Sequence, residues 1–563
     1  MLLSPLIILP SILTLASAKG STAATANKSS IRAGHFTQTL DHFDHTTNLT
    51  FQQRYWYSLA DYVPNSARSH RAAPSAIFLF DAGEFNAEER LTMLDTHLIS
   101  NFTKSFGGIG IVLENRYYGK SYPNLTAFDG RPKTWGVDEM RWLTHRQSLE
   151  DTARFIRGGM HFDGVNQADV DQMPVIVYGG SLSGARAAHL RIKYPELVFG
   201  AWASSAPILA LPDFYTYYWT IARSDNVTAV QSLQAAWASI DAILAPEPAK
   251  GPVQPKRDRK KLAAFLTLAG VPNMTEPADW ASLARDPLDG HQTAVWIDPD
   301  PTYPAYLNAM AHTEDKDLVS LREQAVHLGF KQGELNDEAL KLIHWLRQNV
   351  VDGCTGQNDG GSADACFGRK TQEVWLTPDP ELNEGKAFVF QQCTEYGWYR
   401  TAPPASLPAS LAGPKVLSSL IDLRYSRAEC DDPAFFPKGK HFDMPKEPDG
   451  RFFNGLGNFT IRKSRLGWVD GEKDPWRSLS VHSEYLAHGG DRSNTLDEPF
   501  ILTPGAGHHW EMFNTPPNST VKKPFAIEAA QKMMLEATAH WLSQWPGHRS
   551  EGSREGAPTE LSA

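Results

Sequence analysis

The chain has 563 residues, of which 41% are hydrophobic and 21% charged, and a formal net charge of −10. That balance excludes nucleic acid or an anionic membrane surface as the main partner, and the composition is globular rather than fibrous or disordered. A single hydrophobic core stops growing at roughly 250–300 residues, so two compact units are expected.

In chain order, Met1–Ala18 is a short apolar run ending in the small residues Ala16-Ser17-Ala18. It reads as a signal peptide cut after Ala18, because Pro5 and Pro10 interrupt it and it is short for a membrane span. Residues 19–35 are small and polar and read as a flexible leader. Phe51–Tyr57 reads as a strand. Ala76–Phe80, Gly107–Glu114, Pro174–Tyr178 and Phe199–Ala206 are apolar runs of the kind buried in a parallel sheet. Leu143–Arg157 has helical spacing. This alternation predicts an α/β fold, a mostly parallel sheet with helices on both faces, over 36–211.

From about 212 to 410 the rhythm changes. Helical segments at Val230–Ala245, Asp315–His327 and Asn336–Asn349 predict an inserted, mostly helical unit. The sheet pattern resumes over 411–545, with strands expected at Lys415–Leu417, Phe459–Ile461, Leu466–Val469 and Pro499–Thr503 and a closing helix at Ala526–Leu542. Residues 546–563 are polar and read as a disordered tail. A polar C-terminus carries no lipid-anchor signal.

Export predicts two chemical marks. Eight Asn-x-Ser/Thr sequons occur, at Asn27, Asn48, Asn101, Asn124, Asn226, Asn273, Asn458 and Asn518, marking a glycoprotein. The four cysteines, Cys354, Cys366, Cys393 and Cys430, allow three disulfide connectivities, of which nearest-neighbour pairing is taken. Their spacing is poor for zinc. No metal or cofactor is expected.

The chemistry centres on Val175–Ala188. A buried strand runs through Gly179-Gly180 into Ser181, and a helix starts at once. This is the context of a nucleophile elbow, which lifts a serine hydroxyl out of the sheet and aims helix N–H groups at an oxyanion. The N–H of Leu182 is the first oxyanion donor. Ser183 stands where the usual pattern has glycine; it is the alternative nucleophile, but its flanking residues match less well. A serine needs a base, and in this fold the order is Ser, acid, His. Asp474 follows the strand at Leu466–Val469, and His508 follows the strand at Pro499–Thr503, each in a loop of the expected kind.

Gly179–Ala188, Lys473–Trp476 and Gly507–His509 resemble the prolyl carboxypeptidase and dipeptidyl-peptidase II family of serine peptidases, the secreted fungal prolyl endopeptidases especially. Phe36–Phe43, Glu114–Ser121 and Gln392–Trp398 add to the likeness, which spans about 36–545 in family order. It implies an α/β-hydrolase with Ser181 as nucleophile, Asp474 as the group that orients the base and His508 as the base. It implies that the helical insertion caps the site, and it supports Cys393–Cys430 as a disulfide. Leu182 departs from the family's tyrosine and Asn115 from its frequent histidine. The implied activity is hydrolysis on the carboxyl side of proline in peptides or proteins, by an exo- or endopeptidase that is secreted or held in a vacuolar or lysosomal lumen. A homodimer is compatible with the sequence. An esterase or lipase on the same scaffold is the alternative.

Overall fold

Runs of four or more apolar residues bounded by turns cannot leave one face in water, so they settle in the middle of a sheet covered on both sides. The computed structural model describes residues 30–68, 74–123, 135–224, 226–245, 258–312, 314–355, 362–369, 384–484 and 492–546. Its strands are β1 (Ile31–Thr39), β2 (Thr50–Ser58), β3 (Ile77–Asp81), β4 (Ile109–Leu113), β5 (Val175–Gly180), β6 (Gly200–Ser204), β7 (Leu211–Asp213), β8 (Gly397–Tyr399), β9 (Leu466–Gly471) and β10 (Phe500–Thr503). Eight form one sheet in the order β1-β2-β4-β3-β5-β6-β9-β10. β1 and β4 each pair antiparallel with β2, and every other pair in this sheet is parallel. Strands β3, β4, β5 and β6 are buried at every position. This strand order, with crossover helices between parallel strands, is that of an α/β-hydrolase.

Three helices matter for the site: α1 (Leu98–Phe106), α2 (His145–Gly158) and α3 (Leu182–Lys193). The C-terminal helix, Phe525–Ser543, closes one face of the sheet. Trp202 of β6 stacks on its Trp541 with centroids 4.9 Å apart and donates from Nε1 to Thr538 at 3.0 Å.

The chain divides into two compact units. Gly20–Ala210, Pro378–Tyr396 and Pro437–Ala563 form the sheet unit; Leu211–Thr377 and Gly397–Phe436 form the helical unit. The sequence placed the insertion at 212–410, so its boundaries differ. Residues 384–396 go with the sheet unit because their polar side chains are bonded there. Gln391 accepts from the Tyr118 hydroxyl at 3.0 Å, and Glu395 accepts from the His145 N–H at 2.8 Å. Residues 411–436 go with the helical unit. There Asp241 gathers Lys415 Nζ at 2.7 Å, the Ser418 hydroxyl at 2.5 Å and the Ser419 N–H at 2.8 Å.

Three local readings need correction. The leader read over 19–35 ends early, because β1 starts at Ile31 and pairs with β2 from Ile31↔Ser58 to Thr39↔Thr50. As a partly exposed edge strand it has no need of an apolar run. Lys415–Leu417 has no ladder, because the Asp241 contacts replace one. Phe459 lies in a 3₁₀ turn, Asn458–Thr460, and is buried without sheet pairing. Short apolar runs bury side chains equally well in either state.

Among the described sequons, Asn48, Asn226, Asn273 and Asn518 are exposed, while Asn101 and Asn458 are half-buried. Asn101 exchanges amide hydrogen bonds with Asn514. Asn27 and Asn124, the signal peptide and the tail lie outside the described residues. No helix among those described is long and apolar enough to cross a membrane. Cys366, Cys393 and Cys430 are disulfide-bonded, and the side chain of Cys354 lies outside the described residues. Thiol titration of the denatured protein should therefore find no free cysteine. A non-reducing peptide map should join Cys354 to Cys366, and a Cys354–Cys393 peptide would refute that link.

Candidate active site

The elbow is a steric problem solved by small residues. Ser181 stands between β5 and α3 with φ 61° and ψ −129°, a left-handed conformation that costs a non-glycine residue on the order of 1–3 kcal/mol. A Cβ on Gly179 would come within 2.0 Å of the Ser183 carbonyl oxygen, and one on Gly184 within 2.6 Å of the Ser204 carbonyl oxygen. Strand, helix α3 and strand β6 approach this closely only with glycine at both places. The Ser181 N–H donates to Ser204 O at 2.9 Å, and the Ser181 carbonyl accepts from Gly184 and Ala185. The backbone of Ser181 is thereby pinned, while Leu182 takes the first helical position, where a backbone N–H has no intrahelical acceptor.

Ser183 plays a different part. Its hydroxyl donates to the Gly180 carbonyl at 2.7 Å and accepts from the Gly180 N–H at 3.0 Å. That hydroxyl closes the turn. The departure from the usual glycine thus adds two hydrogen bonds to the elbow.

The acid and the base arrive on the loops after β9 and β10. These loops are tied by Glu472 N–H to Thr503 O at 3.0 Å and Lys473 N–H to Ala506 O at 2.9 Å. Asp474 caps the 3₁₀ turn Pro475–Leu479 by accepting from the Trp476 N–H at 2.8 Å. Both its oxygens lie 2.9 Å from His508 Nδ1. Both side chains are fully buried. A proton on Nδ1 is therefore donated to the carboxylate, which leaves Nε2 as the acceptor. Nε2 is buried and has no hydrogen-bond partner among the described residues. The His508 loop rests on the elbow: a Cβ on Gly180 would meet Met512 Cε at 2.6 Å and His509 Cδ2 at 3.5 Å. The His509 N–H donates to the Ser205 hydroxyl just beyond β6, at 2.8 Å. The chain thus brings the β5, β9 and β10 ends, with Ser181, Asp474 and His508, to one edge of one sheet.

Several residues of this edge left no mark in the sequence pattern. Asp81, the last residue of β3, binds Arg186 of α3 through both oxygens at 2.5 and 2.7 Å and also accepts from the Gly83 N–H at 2.9 Å. This buried pair locks the β3 exit to the elbow helix. A charged residue closing an apolar strand was the one available signal. Burial pushes the neighbouring Glu84 carboxyl up. It also holds His509 well below the usual imidazole range, helped by the charges of His508 and Arg90. Glu511, three residues after His508, accepts from the Tyr178 hydroxyl of β5 at 3.0 Å. Its burial lifts its carboxyl from the ordinary 4.5 to about 7.

The topology defines the class: an α/β-hydrolase whose candidate site is a Ser, Asp and His set of the serine-hydrolase type. Residues 38–262 match the family described as "Serine carboxypeptidase S28". That stretch, which holds the elbow, is similar to this family of serine peptidases. Among relatives, a "Probable extracellular serine carboxypeptidase" of Arthroderma benhamiae is 26% identical over 536 residues, 92% of this chain and 68% of the relative. "Serine protease vicPa" of Bipolaris victoriae is 25% identical over 503 residues, covering 85% of this chain and 84% of the relative. "Thymus-specific serine protease" of Mus musculus is 25% identical over 525 residues, covering 91% and 87%.

Glu511 makes the His508 loop sensitive to pH. A carboxyl held above its unfolded value contributes stability fully below that unfolded value and loses it as pH rises through the folded one. The window here runs from about 4.5 to about 7. Thermal denaturation should show Tm falling from pH 5 to pH 8. Glu511→Gln should remove part of that fall, on the order of 2 kcal/mol. Parallel Tm–pH curves for the two proteins would exclude the effect.

Proposed function

We propose that the protein is a secreted, glycosylated serine peptidase that hydrolyses peptide bonds on the carboxyl side of proline through an acyl-enzyme on Ser181. The observation that carries the triad is His508: a fully buried imidazole held by Asp474 through Nδ1, with Nε2 unpartnered. Other buried imidazole nitrogens, such as His482 Nε2, also lack a partner, so what singles out His508 is that its loop rests on Gly180 of the serine elbow through His509 and Met512. The family match over residues 38–262 supports peptide substrates, and the motif likeness to prolyl peptidases supports proline. Export is supported by the N-terminal run and by the printed name of the Arthroderma relative.

In this mechanism the Ser181 hydroxyl attacks the proline carbonyl while Nε2 of His508 takes its proton. Asp474 stabilises the resulting imidazolium without accepting the proton. The Leu182 N–H binds the oxyanion at the start of α3. His508 returns the proton to the leaving amine, and a water activated by the same nitrogen then hydrolyses the ester. Proline has no N–H and a fixed φ, so the substrate forgoes one backbone hydrogen bond and needs an apolar slot for its ring.

Ser181→Ala, His508→Ala and Asp474→Asn should each lower kcat by on the order of 10⁴–10⁶, while Ser183→Ala should stay active. An inactive Ser183→Ala beside an active Ser181→Ala would overturn the register. Among matched peptides with Pro, Ala, Leu or Arg before the cut bond, proline should lead alanine by about thirtyfold in kcat/KM. Equal rates for Pro and Ala at acidic and neutral pH, or cleavage of fatty esters alone, would sink the proline reading.

A further inference from the structure

A second carboxylate–imidazole pair lies close to the first in the chain. Asp470 is in β9, a strand buried at every position. Its Oδ2 accepts from the Ser480 hydroxyl at 2.7 Å and from His482 Nδ1 at 2.6 Å. The side chains of Asp470 and His482 are both buried. Oδ1 of Asp470 has no hydrogen-bond partner among the described residues, so Ser480 and His482 supply the bonds this buried carboxylate has. A buried charge depends strongly on so few donors.

What the pair does follows from what lies between its ends. Ser480 and His482 stand 10 and 12 positions after Asp470, and Asp474 lies inside the loop they close. That loop is cross-tied within itself. The Asp474 N–H donates to Gly471 O at 3.2 Å, and Asp474 O accepts from the Arg477 N–H at 3.0 Å. Arg477 donates from Nη1 to Glu472 O at 2.8 Å and from Nε to His482 O at 3.2 Å. Leu479 O accepts from the Ile208 N–H, beyond β6, at 2.9 Å. His482 then stacks on Phe500, the first residue of β10, with centroids 3.7 Å and planes 17° apart. Strand β10 leads into the His508 loop. The pair thus grips the far end of the acid loop and seats it on the strand that delivers the base.

We infer that His482, held by Asp470, is a positioning residue for the triad: it fixes the loop that aims Asp474 at His508. The inference rests on the serine-peptidase reading above and adds two residues that the triad motifs do not contain. In this role His482 touches no reacting atom. Its Nδ1 proton goes to Asp470, and one face of its ring is covered by Phe500. Asp474 holds both oxygens 2.9 Å from His508 Nδ1. A loop free to shift by an ångström would spoil that geometry, and a misplacement of this size costs on the order of 10²-fold in rate. Leucine at 482 would fill much of the same space but leave Asp470 with one hydrogen bond instead of two. Asparagine there keeps a donor near the Nδ1 position.

The order Ser181, Asp470, His482 also satisfies the chain order of a triad, so the test must separate a positioning residue from a rival base. It uses a fluorophosphonate probe, from which Ser181 Oγ displaces fluoride as its proton passes to the base. This chemistry is independent of peptide sequence. The second-order labelling rate is read from molecules that react, so unfolded protein drops out of it. His482→Leu and Asp470→Asn should each lower that rate by on the order of 10²-fold, while His482→Asn should keep most of it. On any peptide that the wild type cuts, the loss should fall on kcat and leave KM unchanged. The downfield proton resonance of His508 Nδ1–H should vanish in His482→Leu and persist in His482→Asn. A wild-type rate in His482→Leu would overturn the inference. So would a slow rate with the His508 resonance intact, which marks a role in folding alone. Both results leave the peptidase reading standing. A His482→Asn protein as inert as His508→Ala would overturn the inference by making His482 the base. Labelling that survives in Ser181→Ala would overturn the serine reading and this inference with it.

Discussion

The structure turns on how closely a strand, a helix and a neighbouring strand can approach at one point. Gly179 and Gly184 remove the two Cβ atoms that would keep β5, α3 and β6 apart. The serine between them is forced into a left-handed conformation, and its carbonyl and N–H are consumed by the elbow itself. What remains is a side chain at the tip of a strand and a helix N-terminus behind it. Everything else at this edge is arranged around that point. The β9 and β10 loops bring a carboxylate and an imidazole to it, and the β3 exit is tied to the same helix by Asp81 and Arg186.

That ion pair costs desolvation, and a well-packed apolar pair of the same volume could match its stability. Its geometry does something an apolar pair cannot. Two oxygens against two nitrogens fix the β3 exit in both position and rotation, and the third hydrogen bond, from the Gly83 N–H, carries that order into the loop. The loop leading to Phe85 and Arg90 therefore starts from a fixed frame.

What was legible in the sequence follows from what is local. The β5–α3 elbow, the order of Ser181, Asp474 and His508, and the buried parallel strands all leave patterns within a dozen residues. Strand β1 does not, because an edge strand half in water needs no apolar run. The return of residues 384–396 to the sheet unit was hidden for a different reason. It depends on hydrogen bonds that Gln391 and Glu395 accept from donors 250 or more positions away. Asp81–Arg186 spans 105 positions. No periodicity encodes either. The replacement of glycine by Ser183 was visible, but its meaning was not, since the two bonds to Gly180 exist only once the turn has closed.

The buried charges of the sheet unit fall into two groups with different consequences. Arg116–Asp151, Arg54–Glu114 and Asp81–Arg186 are matched pairs, with contacts of 2.5–2.8 Å, and they lie in the scaffold between strands and helices. Burial would raise the Asp151 carboxyl, but Arg116 and His42 outweigh it and hold it below its ordinary value. The second group consists of single acids without a cation in direct contact: Glu511 and Glu384, lifted to about 7, and Glu395, lifted to about 8. Glu511 sits in the His508 loop, Glu384 answers to Arg90, and Glu395 holds the start of α2. Burial without a counter-charge makes each of them neutral in acid and costly in base. These three single acids are therefore a source of pH dependence, and one of them, Glu511, lies in the loop that carries His508.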